Sequence, residues 1–180
     1  MIKQIGYTAW VLGLTMAVCS ALLVAVDRCA QAAIAKNGNA AVTSSIQMLV
    51  PTTVSTDDKG SYYILRDAQK AVVGYAFVCK GRGYQSELQL LCAVDAKFAT
   101  ITGIEVIEAA ETPGLGMRIA EPWFKKQFAG LSTAGSITYT KGVITGHDQI
   151  QAISGATIST RATVNAVNEA LKKVKAEVGL

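Results

Sequence analysis

Hydrophobic and polar positions along this chain follow three successive rhythms. The first rhythm is unbroken apolarity: from Thr8 to Val26, "TAWVLGLTMAVCSALLVAV", nineteen residues pass without a charge. As a helix the run is about 28 Å long at about 1.5 Å per residue, close to the thickness of a bilayer core. The second is a series of short segments rich in β-branched and aromatic residues and bounded by Gly, Asp or Lys. They are "YYIL" at 62–65, "AVVGYAFVC" at 71–79, "ELQLLCAVD" at 87–95 and "ITGIEVIEA" at 101–109, and they read as strands. The third begins near Ala156. There Val164, Val167, Leu171, Val174 and Val178 step by three and four and lay one apolar stripe along a helix. Arg161, Asn165, Asn168, Lys172 and Lys175 fall on its other faces, and Gly179 is its expected stop.

The intervening segments complete the organisation. Residues 29–50 are alanine-rich and helix-permissive, with a break expected near Asn37-Gly38 and an end at Pro51, as in a stalk. "STDDKG" at 55–60 reads as a turn, and "KGRGY" at 80–84 as a glycine-rich hairpin connection. The latter lacks the G-x-x-x-x-G-K-[ST] spacing and the following helix of a phosphate loop. "EPWFKKQFAG" at 121–130 predicts a short helix showing Trp123, Phe124 and Phe128. The expected fold class is therefore α+β: a single N-terminal transmembrane helix, then one mixed domain with an antiparallel sheet and a long C-terminal helix. Residues 1–28 are read as the anchor, 29–60 as stalk and linker, and 61–180 as an extracytoplasmic domain.

Charge sets the expected orientation. Lys3 and the α-amino group precede the apolar run, whereas Asp27 and Arg28 after it cancel. That bias favours a cytoplasmic N-terminus, leaving the body in the periplasm or its equivalent. A cleaved signal peptide is the competing reading, but its apolar core spans only about 7–15 residues and ends in a small-x-small site. "AVCS" also lacks the leucine that a lipoprotein site wants three before its cysteine. Beyond Arg28, 15 basic and 12 acidic residues remain, dispersed except in "LKKVK" at the end of the last helix. That balance excludes a nucleic-acid partner.

Four cysteines and one histidine limit the metal chemistry. Cys19 lies inside the apolar run, Cys29 just beyond it, and Cys79 and Cys92 on segments that read as neighbouring strands. Neither C-x-x-C nor C-x-x-C-H occurs, and His147 is alone, so zinc, haem attachment and a cysteine-ligated cluster are not expected. Cys79 and Cys92 are either a disulfide of an oxidising compartment or two half-buried thiols. No acid–base pair or nucleophile set stands out, and no catalytic residue is assigned.

Two segments ask for more than packing. "ETPGLG", Glu111 to Gly116, follows the last strand. Its Pro-Gly pair suits a type II turn, and two glycines around one leucine let backbone approach something flat or bulky. "AISGATIST" at 152–160 opens the last helix with more hydroxyls than a cap needs. Ser154 can serve as N-cap. Thr157 falls in the first turn, where free N–H groups and the dipole stabilise an anion, so its hydroxyl is placed to carry a phosphate. Gly155 and Ala156 leave room beside it.

The order "ETPGLG", then "SGATIST" about forty residues on, behind one N-terminal span, resembles the FMN-binding subunits of ion-pumping redox complexes. By length the chain is most like the G subunit of Rnf-type complexes. It is also similar to the C subunit of the sodium-pumping NADH–quinone reductase. The resemblance implies FMN joined through a phosphoester to Thr157, installed by a separate flavin transferase that recognises Ser154, Gly155 and Ala156. It implies that Glu111, Thr112, Leu115 and Gly116 line the flavin site. Where many members place an acidic residue six positions before the acceptor, this chain has Gln151, with Asp148 nearby. The implied function is a membrane-anchored electron-transfer subunit of an ion-translocating ferredoxin:NAD oxidoreductase complex, with other membrane subunits as partners. A reversibly FMN-binding reductase domain and a non-redox structural or assembly subunit are the alternatives.

Overall fold

The computed structural model describes residues 2–179, with side chains outside 2–9, 31–37 and 39. The Lys3 side chain and the α-amino group, which set the expected charge bias, lie outside that description. Two compact units divide the chain, Met1–Ala40 and Ala41–Leu180. In the first, helix α1 (Ile2–Leu49) includes one stretch, Trp10–Ala30, long and apolar enough to cross a membrane. Most large apolar side chains of that stretch, Trp10, Leu14, Leu22 and Val26 among them, are exposed. The helix runs through Asn37-Gly38 without the expected break. A single glycine inside a helix costs only about 1 kcal/mol.

The second unit is built on a five-stranded antiparallel meander, β1 (Ser55–Asp58), β2 (Tyr63–Arg66), β3 (Val72–Arg82), β4 (Glu87–Asp95) and β5 (Ile101–Glu108), paired in chain order. Both sheet faces are covered. On one face Val42 and Ile46 of the last turns of α1 pack with Val50, Leu65, Ala76, Leu91 and Ala93. On the other Phe77, Cys79, Leu90, Cys92 and Val94 meet Phe124, Phe128 and the last helix, α3 (Thr157–Val178). Strand β4 alternates between the two clusters residue by residue from Leu90 to Val94, which is why "LLCAV" reads as continuous apolarity. The α3 stripe is buried as its spacing predicts: Val164, Val167, Leu171 and Val174 are in the core, and Gly179 ends the helix with φ +83°.

Several elements differ from the sequence reading. Residues 55–58 form an edge strand rather than a turn, and the turn itself follows at Lys59–Ser61, where the Gly60 N–H donates to Asp58 Oδ1 at 2.7 Å. Arg66 pairs with Asp57 at 2.8 Å across the hairpin, which gives polar "STDD" a reason to be straight. Strand β3 continues through Lys80, Gly81 and Arg82, so the connection to β4 is only 83–86. The helix at 121–130 shrinks to α2 (Pro122–Lys126), preceded by a 3-10 turn at Gly116–Ala120. A small parallel pair, β6 (Thr138–Thr140) and β7 (Gln149–Gln151), adds two strands that the sequence pattern does not predict.

Gly81 places α3. A Cβ there would sit 2.9 Å from both the Ala162 carbonyl oxygen and the Ala166 Cβ. With small residues on both sides, helix backbone and strand backbone come into direct contact, and the start of α3 lies close to the β3–β4 turn.

Cys79 and Cys92 are free and fully buried. Cys79 opposes Leu90 and Cys92 opposes Phe77, so the two are diagonal neighbours, whose Cα atoms lie roughly 7–8 Å apart in such pairs. A disulfide wants roughly 4.4–6.8 Å. Burial first, and then the neighbouring Cys92 thiol, push the Cys79 thiol well above its usual range. Peptide mapping after iodoacetamide is expected to find both cysteines unmodified in the folded protein, even at mildly alkaline pH. Both should be fully alkylated in concentrated guanidinium without reductant. Alkylation that required a reductant would show a bridge instead.

Candidate functional site

Three segments far apart in sequence meet at the start of α3: the β3–β4 turn, the loop after β5, and residues 153–160. The loop after β5 folds as its Pro-Gly pair predicts. Gly114 has φ +74° and the Leu115 N–H donates to the Thr112 carbonyl at 3.1 Å, a type II turn.

Glu111 ties the segments together. It is 4% exposed. The amides of Gln85 and Ser86 donate to its Oε1 at 2.9 and 3.1 Å, and the amide of Tyr84 donates to Oε2 at 3.2 Å. The Ser159 hydroxyl donates to Oε2 at 2.5 Å. Burial alone would raise the carboxyl pKa, but the Ser159 hydroxyl and the three amides outweigh it and hold the group below the usual carboxylate range. Two glycines leave space for this carboxylate. A Cβ on Gly83 would sit 2.5 Å from Oε1, and one on Gly116 2.5 Å from Oε2 and 2.7 Å from Ser159 Oγ. Gly116 is thus needed for the approach of Glu111 and Ser159.

The helix start is held by its own hydroxyls. Thr160 Oγ1 donates to the Ala156 carbonyl at 3.1 Å and accepts from the Ile153 N–H at 3.1 Å, which pins the 153–156 loop to the first turn. Thr163 Oγ1 donates to the Ser159 carbonyl at 3.0 Å. Ser154 is exposed, and the helix carries no side-chain cap; Ala156 occupies the cap position. The N-cap reading of Ser154 is therefore corrected: Gly155, with φ +79°, turns the chain so that the helix opens at Thr157. The N–H groups of Thr157, Ile158 and Ser159 have no intrahelical partner by position.

The three segments enclose a cleft of about 450 Å³, within the roughly 300–1,000 Å³ typical of small-molecule sites. Glu111, Thr112, Leu115 and Gly116 line it from one side, and Gly155, Ala156 and half-buried Thr157 from the other. Ser154, Pro113 and Gly114 of the two singled-out segments stay outside the lining. Tyr84, Ile158 and Ser159 line it as well and escape a reading of the sequence alone. The hydroxyl run hints at Ser159, but nothing local marks Tyr84. Gly155 has no room to spare: a Cβ there would lie 3.1 Å from Leu115 Cδ2. A hydroxyl, free helical amides and apolar lining residues suit a phosphate-bearing ligand with an apolar body. Asp148 is engaged elsewhere, its Oδ1 accepting from the Ser132 amide at 3.0 Å; Gln151 is held by its backbone N–H, which donates to Gln127 Oε1 at 2.7 Å, and the residue is exposed.

Comparison with known proteins points the same way. A family model described as the FMN-binding domain matches residues 83–172, half of the chain. The chain is 42% identical over 135 residues to the G subunit of the ion-translocating oxidoreductase complex of Methanosarcina acetivorans, covering 72% of this chain and 69% of that protein. It is 39% identical over 104 residues to the G subunit of the Na(+)-translocating ferredoxin:NAD(+) oxidoreductase complex of Acetobacterium woodii, covering 56% of this chain and 49% of that one. Among solved structures it is similar to the C subunit of the Na(+)-translocating NADH-quinone reductase from Parabacteroides distasonis. There the identity is 26% and the TM-score 0.54, with 61% of this chain and 58% of that chain covered. NqrC of Shewanella oneidensis shares the fold at 19% identity and a TM-score of 0.57, over 71% of this chain and 73% of that one.

The Glu111 clasp has a measurable pH signature. The unfolded carboxyl titrates near 4.5 and the folded one lower. Its stabilisation is therefore complete above that value and is lost as pH falls through the folded pKa. Glu111→Gln, whose amide cannot accept all four hydrogen bonds, is expected to cost about 1–3 kcal/mol at neutral pH. It should also remove this part of the acid sensitivity. Urea titrations of both proteins at neutral and acidic pH measure this, and equal stability losses on acidification would refute it.

Proposed function

This chain belongs to the FMN-binding domain family, among relatives of the G subunits of ion-translocating oxidoreductase complexes, and we propose that it carries FMN covalently on Thr157 as an electron-transfer subunit of an Rnf-type ferredoxin:NAD oxidoreductase complex. The observation that carries the reading is the position of Thr157. Its hydroxyl belongs to the first residue of α3, beside amides without intrahelical partners, in a cleft completed by the 111–116 loop. Bound there, FMN would supply acceptance and release of electrons, chemistry that no side chain of this cleft provides.

The chain's own residues have separable tasks. In attachment, the Thr157 hydroxyl would pass its proton to a base of the transferase, and its oxygen would form the ester bond to the flavin phosphate. The bond broken is the one from that phosphorus to the leaving part of an activated flavin nucleotide, a step assigned to a flavin transferase. The helix start then offers amides and the positive end of its dipole to the phosphate. Ser154 and Gly155 are exposed and would present this loop to the transferase, while Ala156 is buried behind them. Thr112, Leu115 and Gly116 form the opposite wall. Glu111 acts through that wall, since all four of its hydrogen bonds hold protein segments. Residues 1–28 are assigned as the anchor in the cell membrane, with a cytoplasmic N-terminus. The stalk assigned from Cys29 onward connects the anchor to the flavin domain on the other side, and its later residues, from Ala41 through β1, are built into that domain's compact unit. The remaining membrane subunits of the complex are the partners that deliver and remove electrons.

Two measurements test this. Thr157→Val keeps the side chain's shape at a half-buried position. It is expected to abolish flavin fluorescence of the denatured protein in gels while the fold survives, and a variant that stays fluorescent would dismiss Thr157 as the acceptor. A reporter that works only outside the cytoplasm, fused after Leu180, is expected to be active. An inactive reporter together with protection of the body from protease added to spheroplasts would reverse the orientation.

A further inference from the structure

Three large apolar side chains stand exposed around the cleft: Tyr84 at 72%, Leu115 at 45% and Ile158 at 43%. They come from three different segments and converge on one polar helix start, an arrangement suited to a flat apolar ligand that covers them. Tyr84 differs from the other two. It is the aromatic member of the cleft lining, comes from the β3–β4 side, and is the most exposed of the three. Its turn is also held in place more tightly than a four-residue hairpin connection requires. The Gly83 N–H donates to the Ser86 carbonyl at 2.8 Å. The next three amides, Tyr84 to Ser86, all donate to Glu111. Gly83 permits that fold-back because a Cβ there would strike Glu111 Oε1. The result is a phenol ring left in water on a backbone that cannot move away.

Resting on the reading of the cleft given above, we propose that Tyr84 is a positioning residue for the flavin. Its ring stacks on the isoalloxazine of FMN held at Thr157 and sets the ring plane from the β3–β4 side, while Glu111 fixes the backbone that presents it. Aromatic pairs stack offset with ring centroids about 4.5–7 Å apart, and a pinned backbone removes most of the ordering cost of such a contact. The "KGRGY" turn thereby gains a role beyond joining two strands.

Flavin emission reads this contact directly. A phenol against a photoexcited flavin passes one electron to it, and the electron returns without emission, so no net reaction occurs and the fluorescence is quenched. The test uses full-length protein, purified in detergent from a host with the transferase, as wild type, Tyr84→Leu and Tyr84→Trp, each matched for covalent flavin by absorbance. Tyr84→Leu is expected to be several-fold brighter and to have a longer emission lifetime. Tyr84→Trp, which keeps an electron-rich ring, is expected to remain quenched. Flavin-loaded Tyr84→Leu protein with wild-type emission would overturn the role of Tyr84 and leave the carrier reading standing. Wild-type protein without flavin would overturn the carrier reading, and this proposal with it.

Discussion

A single buried carboxylate decides where the parts of this cleft stand. Glu111 is surrounded by donors: three consecutive amides from one turn and one hydroxyl from the first turn of α3. Left unpaired, an ionised carboxylate at 4% exposure would be very costly. Paired four times, it is held anionic and requires its donors to stay in place. The turn, the post-β5 loop and the helix start are thereby tied to one another through one side chain. Gly83 and Gly116 are the backbone conditions of that arrangement, because any side chain at either would occupy the space of the carboxylate.

The remainder of the second unit serves to bring these donors within reach. The meander places the β3–β4 turn and the end of β5 on neighbouring strands, so Ala110 can donate to Ser86 Oγ at 2.9 Å before Glu111 turns inward. Helix α3 lies across β3 on its apolar stripe. Thr160 then closes the 153–156 loop back on the first turn, so that Thr157 opens the helix without a side-chain cap. Of the hydroxyl run, Ser159, Thr160 and Thr163 are consumed by structure, and Thr157 is the one left facing the cleft.

What is legible in the sequence follows from the range of each signal. The α3 stripe repeats over five positions and is readable to within a residue, and β4 is bounded correctly because its length and flanks identify a strand even when both faces are buried. The three-residue β6 and β7 offer no period to detect, and β1 is polar throughout, straightened by its partner and an ion pair rather than by composition. The same division runs through the site. "ETPGLG" and "SGATIST" announce themselves because each needs a local backbone shape, at Gly114 and Gly155. Tyr84 and Ser159 stay hidden because their significance comes from Glu111, lying 27 and 48 positions away. Glu111 itself reads as a wall of the site, and only its hydrogen bonds show that it acts as a clasp.

The contact at Gly81 has a consequence for charge movement. With Ala162 and Ala166 against strand backbone, the helix that bears Thr157 and the strand that leads to Tyr84 cannot slide past each other without breaking close backbone packing. Dipoles on the two sides of the cleft are therefore frozen relative to one another. A group held between them meets nearly the same field whether it carries an extra electron or not. For an electron-carrying group held between them, such walls would keep the protein's share of the reorganisation energy, and so of the activation barrier, small.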